Sequence, residues 1–300
     1  MNELKYINAG DLCIGYECNG NTNGIPVILL HGFPYDVRAY DSVTQLLSTE
    51  NYWVIVPYLR GFGATRFLSD STIRSGQQAA LAYDLIALMD ALSIEKALIT
   101  GYDWGGRVAC IVSAMYPNRV IGLVSASGYC IQHIANSIEP VNPELEKLYW
   151  YQYYFHTERG RLGLLKNRKE LCKILWNDWS PTWKFDDDTF NTSAISFDNP
   201  DFVEIVIHSY RHRYGLVDGD PKFEDMEQAL SIQPKINVQT IVLEADSDGV
   251  VPFSEIDYDA PFFTGDYERR IIKGAGHNLP QEAPEEFTKA IISLINKRKN

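Results

Sequence analysis

The chain has 300 residues, 45% of them hydrophobic and 22% charged, and a formal net charge of −12. That length suits one large core carrying an insertion rather than two independent domains. The acidic surface repels nucleic acid and anionic membranes, so neither is expected as a partner.

In chain order, the N-terminal residues lack the basic-then-apolar pattern of a signal peptide, and no apolar run along the chain is long enough to cross a bilayer. A cytoplasmic location is expected. Residues 4–18 predict a β-hairpin turning near Gly10-Asp11. Val27–His31 and Trp53–Pro57 read as buried strands that end at turn-forming residues. Gln77–Leu92 has helical spacing, Lys96–Thr100 is a strand, Gly105–Tyr116 is a helix stopped by Pro117, and Val120–Ala126 is a further strand. This alternation predicts an α/β fold, a mostly parallel sheet flanked by helices.

The rhythm breaks after about residue 130. Residues 134–225 hold no clear buried strand and are dense in Tyr, Trp, Arg and Lys. Helical patterns fall at 143–156, 161–177 and 200–214, separated by a Pro- and Asp-rich stretch at 180–200. Strand signals return at Thr240–Glu244 and Arg269–Lys273, before a closing helix over Pro284–Asn296. The expected organisation is a core of residues 1–133 and 226–300, interrupted by a helical cap over 134–225. Five scattered cysteines without CxxC spacing suit free thiols in a reducing compartment better than disulfides or a metal site.

Gly101-Tyr102-Asp103-Trp104-Gly105-Gly106 lies where a strand stops and a helix begins. Glycines two before and two after Asp103 permit a sharp strand–turn–helix that lifts the central side chain above the sheet, a nucleophile elbow with Asp in the serine position. An aspartate just before a helix is also a common N-cap. His31-Gly32-Phe33-Pro34 follows a strand and can aim a backbone N–H outward, which assigns an oxyanion hole to the N–H groups of Phe33 and Trp104. His31 itself, at a buried strand end, suits a structural histidine. His277, flanked by small residues after the last strand, is the candidate base. The candidate acid lies in Glu244-Ala245-Asp246-Ser247-Asp248, with Asp248 furthest into the loop and Asp246 its rival.

A carboxylate with an ordinary pKa of about 3.9 is ionised at neutral pH and attacks without a base. Its attack on an acyl carbon gives a mixed anhydride, whereas its displacement at a saturated carbon gives a stable alkyl ester. The implied reaction is therefore substitution at sp³ carbon, followed by hydrolysis with His277 and Asp248 activating water.

Taken together, HGFP at 31–34, PYLRGFGATRF at 57–67, GYDWGG at 101–106, DGVVP at 248–252 and GAGHNLPQEAP at 274–284 resemble the epoxide hydrolase branch of the α/β-hydrolase superfamily, close kin to haloalkane and haloacetate dehalogenases. The resemblance spans nearly the whole chain. It implies an α/β-hydrolase fold with an inserted helical cap, and an enzyme that converts an epoxide to a vicinal diol. In that family two cap tyrosines donate to the epoxide oxygen. Tyr151 and Tyr210 match them, with Tyr149, Tyr153, Tyr154 and Tyr214 as rivals and aromatic packing in the lid as the plain reading. The implied substrate is a small apolar epoxide or organohalide. Nothing calls for a metal or organic cofactor, and a homodimer is left open. Dehalogenation, of a haloalkane or a haloacetate, is the alternative within the class. A non-catalytic ligand-binding relative is the alternative outside it. The chain departs from the family pattern at Tyr58, where the PDxRG loop usually has Asp, at Ala64-Thr65, which replaces a common Gly-x-Ser ending, and at Tyr102, which replaces the frequent histidine before the nucleophile. None of these removes a catalytic role.

Overall fold

The computed structural model describes residues 3–48 and 51–297. Glu3–Ala9 (β1) and Leu12–Gly20 (β2) form an antiparallel hairpin with Ala9 opposite Leu12. Gly10, at φ 56°, supplies the left-handed residue of the turn. The chain continues through Ile25–Leu30 (β3), Asp41–Leu47 (α1), Tyr52–Pro57 (β4) and the two-residue strand Arg66–Phe67 (β5). Gln78–Ala91 (α2), Ala97–Tyr102 (β6), Asp103–Met115 (α3) and Val120–Ala126 (β7) complete the first part of the core.

Between β7 and the next strand the chain is helical: Pro143–Leu148 (α4), Trp150–His156 (α5), Glu158–Trp179 (α6), Asp187–Ala194 (α7), Phe202–His212 (α8) and Glu224–Ser231 (α9). Thr240–Ala245 (β8), Tyr267–Ile272 (β9), Leu279–Glu282 (α10) and Pro284–Lys297 (α11) close the fold. α11 buries Phe287, Ala290, Ile291, Leu294 and Ile295, an apolar stripe at helical spacing. Among the described residues no helix is long and apolar enough to cross a membrane, and no His, Cys, Asp and Glu cluster could hold a metal ion.

The described strands form one nine-stranded sheet in the order β1-β2-β4-β3-β6-β7-β8-β9, with β5 paired to β2. β2 pairs antiparallel with β1, β4 and β5, and every pair from β4 to β9 is parallel. The fully buried runs in β3, β4 and β6 are what a sheet covered on both faces demands. From β3 the chain moves outward to β4 and then back across β3 to β6. Right-handed crossovers in opposite directions put α1 and α2 on opposite faces. The reversal also opens a crevice beyond the carboxyl ends of β3 and β6, where open α/β sheets bind ligands.

Candidate active site

Pairing register delivers the site residues to that crevice. Leu30 of β3 lies beside Gly101 of β6, so the residues that follow each strand, Gly32-Phe33 and Asp103, emerge side by side. Ala245 of β8 lies beside Ile272 of β9, so the loops bearing Asp248 and His277 leave adjacent strand ends.

Asp103 is the first residue of α3 and has φ 50°, a left-handed conformation that costs an L-residue about 1–3 kcal/mol. The surrounding glycines explain how the chain tolerates so tight a bend. A Cβ at Gly105 would sit 2.0 Å from the Leu30 carbonyl oxygen, and one at Gly101 would sit 2.4 Å from the Gly105 carbonyl. The carboxylate does not cap its own helix. Its Oδ1 accepts a 2.7 Å hydrogen bond from the Phe33 N–H, a residue 70 positions away. Trp104, the other expected oxyanion donor, makes no backbone hydrogen bond to this carboxylate among the described residues.

His277 stands between two carboxylates. Its Nδ1 lies 2.7 Å from Asp248 Oδ2, and its Nε2 lies 3.6 Å from Asp103 Oδ2. Asp248 is itself fixed, because its Oδ1 accepts from the N–H groups of Val250 and Val251. Asp246 is occupied elsewhere, accepting from Gly274 N–H and Ser247 Oγ and so pinning the loop rather than the imidazole. His31 is buried with Nδ1 on the Gly32 carbonyl and Nε2 accepting from Leu59 N–H, and burial pushes its pKa down to about 4. It is a neutral structural group.

Burial alone would drive the charge off His277, but Asp248 and Asp103 outweigh it and hold the pKa up at about 10. Burial likewise opposes ionisation of Asp103, and His277, Arg107 and the Phe33 N–H overcome it, keeping the carboxylate below its ordinary value. The resting site is thus a carboxylate beside an imidazolium.

The cap closes over this pair with aromatic side chains. Tyr151 of α5 and Tyr210 of α8 are both buried, with ring centroids 5.4 Å apart. Tyr151 Oη accepts from Gln152 Nε2 at 3.0 Å, and neither tyrosine hydroxyl donates to any described residue. The rival tyrosines have other engagements. Tyr153 bonds Glu146, Tyr214 donates to Gln152 Oε1 at 3.2 Å, and Tyr154 packs over Gly163 so closely that a Cβ there would meet its hydroxyl. Tyr149 lines the cleft but carries no hydrogen bond through its hydroxyl among the described residues.

A cleft of about 320 Å³ is bounded by Asp103, His277, Tyr151, Gln152, Arg107 and Arg213 among others, with Tyr210 packed against Tyr151 outside its lining. The two arginines are the residues that sequence reasoning missed. The available signal was positional: Arg107 follows Asp103 by four residues on one helix and so shares its face. Of the departures from the family pattern, Tyr102 is wholly buried against Tyr35 and Tyr40, and Tyr58 packs its ring on Gly63. Both therefore shape the shell behind the site.

Comparison with known proteins agrees with this architecture. The α/β hydrolase fold family matches residues 25–284. The crystal structure of a proposed epoxide hydrolase from Klebsiella pneumoniae superposes with a TM-score of 0.95 at 47% identity, covering 97% of each chain. Epoxide hydrolase A of Mycobacterium tuberculosis is 23% identical over 297 residues, 91% of each protein. A fluoroacetate dehalogenase from Burkholderia is 29% identical over 157 residues, 51% of this chain and 48% of that protein. The chain is an enzyme of the α/β-hydrolase family, on its epoxide-hydrolase-like branch.

Proposed function

We propose that this hydrolase opens epoxides to vicinal diols through an alkyl ester on Asp103. The observation that carries the reading is an ionised, oriented Asp103 carboxylate sharing a cleft with Tyr151, which packs on Tyr210, while neither hydroxyl donates a hydrogen bond among the described residues. An Asp103 oxygen attacks an epoxide carbon, the carbon–oxygen bond breaks, and the alkoxide takes a proton from Tyr151 or Tyr210. Esterification removes the Asp103 charge, and with it part of what holds the proton on His277. The imidazolium proton then restores the tyrosine, leaving His277 neutral.

Neutral His277, oriented by Asp248, takes a proton from water as the water oxygen attacks the Asp103 carboxyl carbon. The N–H groups of Phe33 and Trp104 are assigned to the oxyanion of the tetrahedral intermediate. Collapse releases the diol alkoxide, which takes the proton from His277. The carboxylic acid left on Asp103 returns its own proton to the imidazole, and the resting pair is restored.

A single turnover in ¹⁸O-water tests the scheme. One label oxygen should enter Asp103, detected by peptide mass spectrometry, while the first diol molecule stays unlabelled. Label in that diol would mean direct attack by water and would overturn the ester. Dehalogenation is the second reading, favoured by the Trp104 indole N–H, which is buried without a hydrogen-bond partner among the described residues, and by the partial likeness to the fluoroacetate enzyme. Halide release from haloacids without turnover of any epoxide would replace the first reading by the second.

A further inference from the structure

Two arginines face the cleft, and the chain supplies neither with a carboxylate partner among the described residues. Long helical side chains lean toward the helix N-terminus, so Arg107 reaches back over the turn that holds Asp103. It is only 7% exposed, makes no hydrogen bond or ion pair among the described residues, and its Nε is buried without a partner. Arg213 follows α8 and donates to the neutral Gln152 Oε1 at 3.1 Å, with its guanidinium 4.6 Å above the Tyr210 ring. Elsewhere the chain pairs its buried and half-buried arginines readily, as Arg60 with Asp84, Arg74 with Asp201 and Arg269 with Glu244. With a net charge of −12, carboxylates are not scarce.

A guanidinium cannot shed its proton to escape burial. Leaving one uncompensated in the interior costs several kcal/mol. Burial and repulsion from Arg213 both work against the Arg107 charge, lowering its pKa to about 10 although Asp103 attracts it. What relieves two like charges in one cleft is an anion brought in from outside.

Resting on the alkyl-ester reading above, we propose that the substrate is an epoxide bearing a carboxylate close to the reacting carbon, held by Arg107 and Arg213. The planar fork of a guanidinium matches the two oxygens of a carboxylate. Arg107 follows Asp103 by four residues, about 6 Å along the axis, and both line one cleft, which puts the anion close to the carbon attacked. With His277 protonated, the charges on Asp103, Asp248, His277, Arg107 and Arg213 leave the site one positive charge in excess. A monoanion cancels that excess and a dianionic phosphate overshoots it. This acidic substrate is a different expectation from the apolar one that the sequence suggests.

The test compares styrene oxide with 3-phenylglycidate, which adds a carboxylate to the same ring. Wild-type kcat/KM should favour the glycidate by about 100-fold, and Arg107→Gln should shrink that preference by about 20-fold through a rise in the glycidate KM. This comes on top of the smaller loss that both epoxides share when Asp103 loses a supporting charge. Arg107→Lys should restore part of the loss, and Arg213→Gln should act in the same direction. Circular dichroism and melting establish that each variant is folded. Calorimetric binding of 3-phenylglycidate to Asp103→Asn protein, with and without Arg107→Gln, gives a readout that needs no turnover. A wild-type preference for styrene oxide, equal losses on both epoxides, or binding indifferent to both arginines would overturn the anion site. Arg107-dependent binding without turnover of any epoxide would instead remove the alkyl-ester reading and leave the anion site standing.

Discussion

Asp103 occupies its left-handed bend only because its neighbours yield the space. Gly32 is the neighbour that meets the aspartate side chain itself, since a Cβ there would lie 2.6 Å from the Asp103 Cβ and 2.8 Å from Oδ1. Gly32→Ala must therefore push the carboxylate off the Phe33 N–H. We expect kcat/KM to fall by about 100-fold, the scale of losing one oriented oxyanion-type contact, with little change in melting temperature. A variant that retains wild-type turnover would show that this close approach is not needed. A second expectation concerns His277. Its pKa is held at about 10 against burial by Asp248 and Asp103 together, so Asp103→Asn should lower it. A raised pKa stabilises the fold below the ordinary value of about 6.5 and loses that contribution as pH climbs through the folded value. The asparagine variant should lose it at a lower pH, visible as an earlier movement of the imidazole NMR signal. These residues were legible because their signal is local: glycines bracketing Asp103, small residues around His277, a glycine before Phe33. Its place furthest into the loop favours Asp248 over Asp246, and its 2.7 Å contact with His277 Nδ1 supports that choice. The spacing of Arg107 from Asp103 was there to be read, but that Arg107 and Arg213 lack a carboxylate partner among the described residues is a tertiary fact that no local pattern encodes.

Among elements, the joint between the β4 loop and α2 depends on one buried ion pair. Arg60 grips Asp84 with two bonds of 2.6 and 2.7 Å and spends its remaining donors on the carbonyls of Ser75 and Ala80. Removing one partner strands the other charge, so Asp84→Asn should cost about 3–5 kcal/mol in urea unfolding. Arg60→Met with Asp84→Leu removes both charges and should cost less than the single change. A double variant that is less stable than Asp84→Asn would refute this assignment of the cost. The buried strands were readable as unbroken apolar runs, but shorter elements were not. α7 lies inside the Asp-rich stretch 180–200 that reads as a loop, although Asp186 caps it by accepting from Thr189 N–H while Phe190 and Ala194 are buried. Aspartate favours helix starts as strongly as turns, so composition alone does not separate the two. α6 runs longer than its periodic segment and bends at Asn167, where φ −126° and ψ 36° leave the helical range. The two-residue β5 is too short to leave a pattern of its own.

Across the whole molecule, the helical segment between β7 and β8 is seated on the core by a few directed bonds rather than by apolar contact alone. Trp176 Nε1 donates to the Pro34 carbonyl at 2.7 Å, Asn199 Nδ2 donates to the Thr65 carbonyl at 2.7 Å, and Ser196 Oγ donates to Asp36 Oδ2 at 2.6 Å. Asp36 is the costly member. Burial raises its pKa to about 6, even though Ser196, Ser193, the Arg38 N–H and the Arg38 charge all favour the ionised form. Its folded pKa lies above the unfolded value of 3.8, so it favours folding fully below pH 3.8 and loses that contribution as pH rises through about 6. At neutral pH the difference amounts to roughly 3 kcal/mol of penalty for keeping this charge between cap and core. Asp36→Asn retains an oxygen for the Arg38 N–H and offers an amide to the Ser196 hydroxyl without the charge. Its melting temperature should exceed that of the wild type at pH 7.5, and the two should converge near pH 4. A variant that melts lower at both pH values would mean that the carboxylate binds the cap more strongly than burial opposes it. The joint would then be held by charge and not in spite of it.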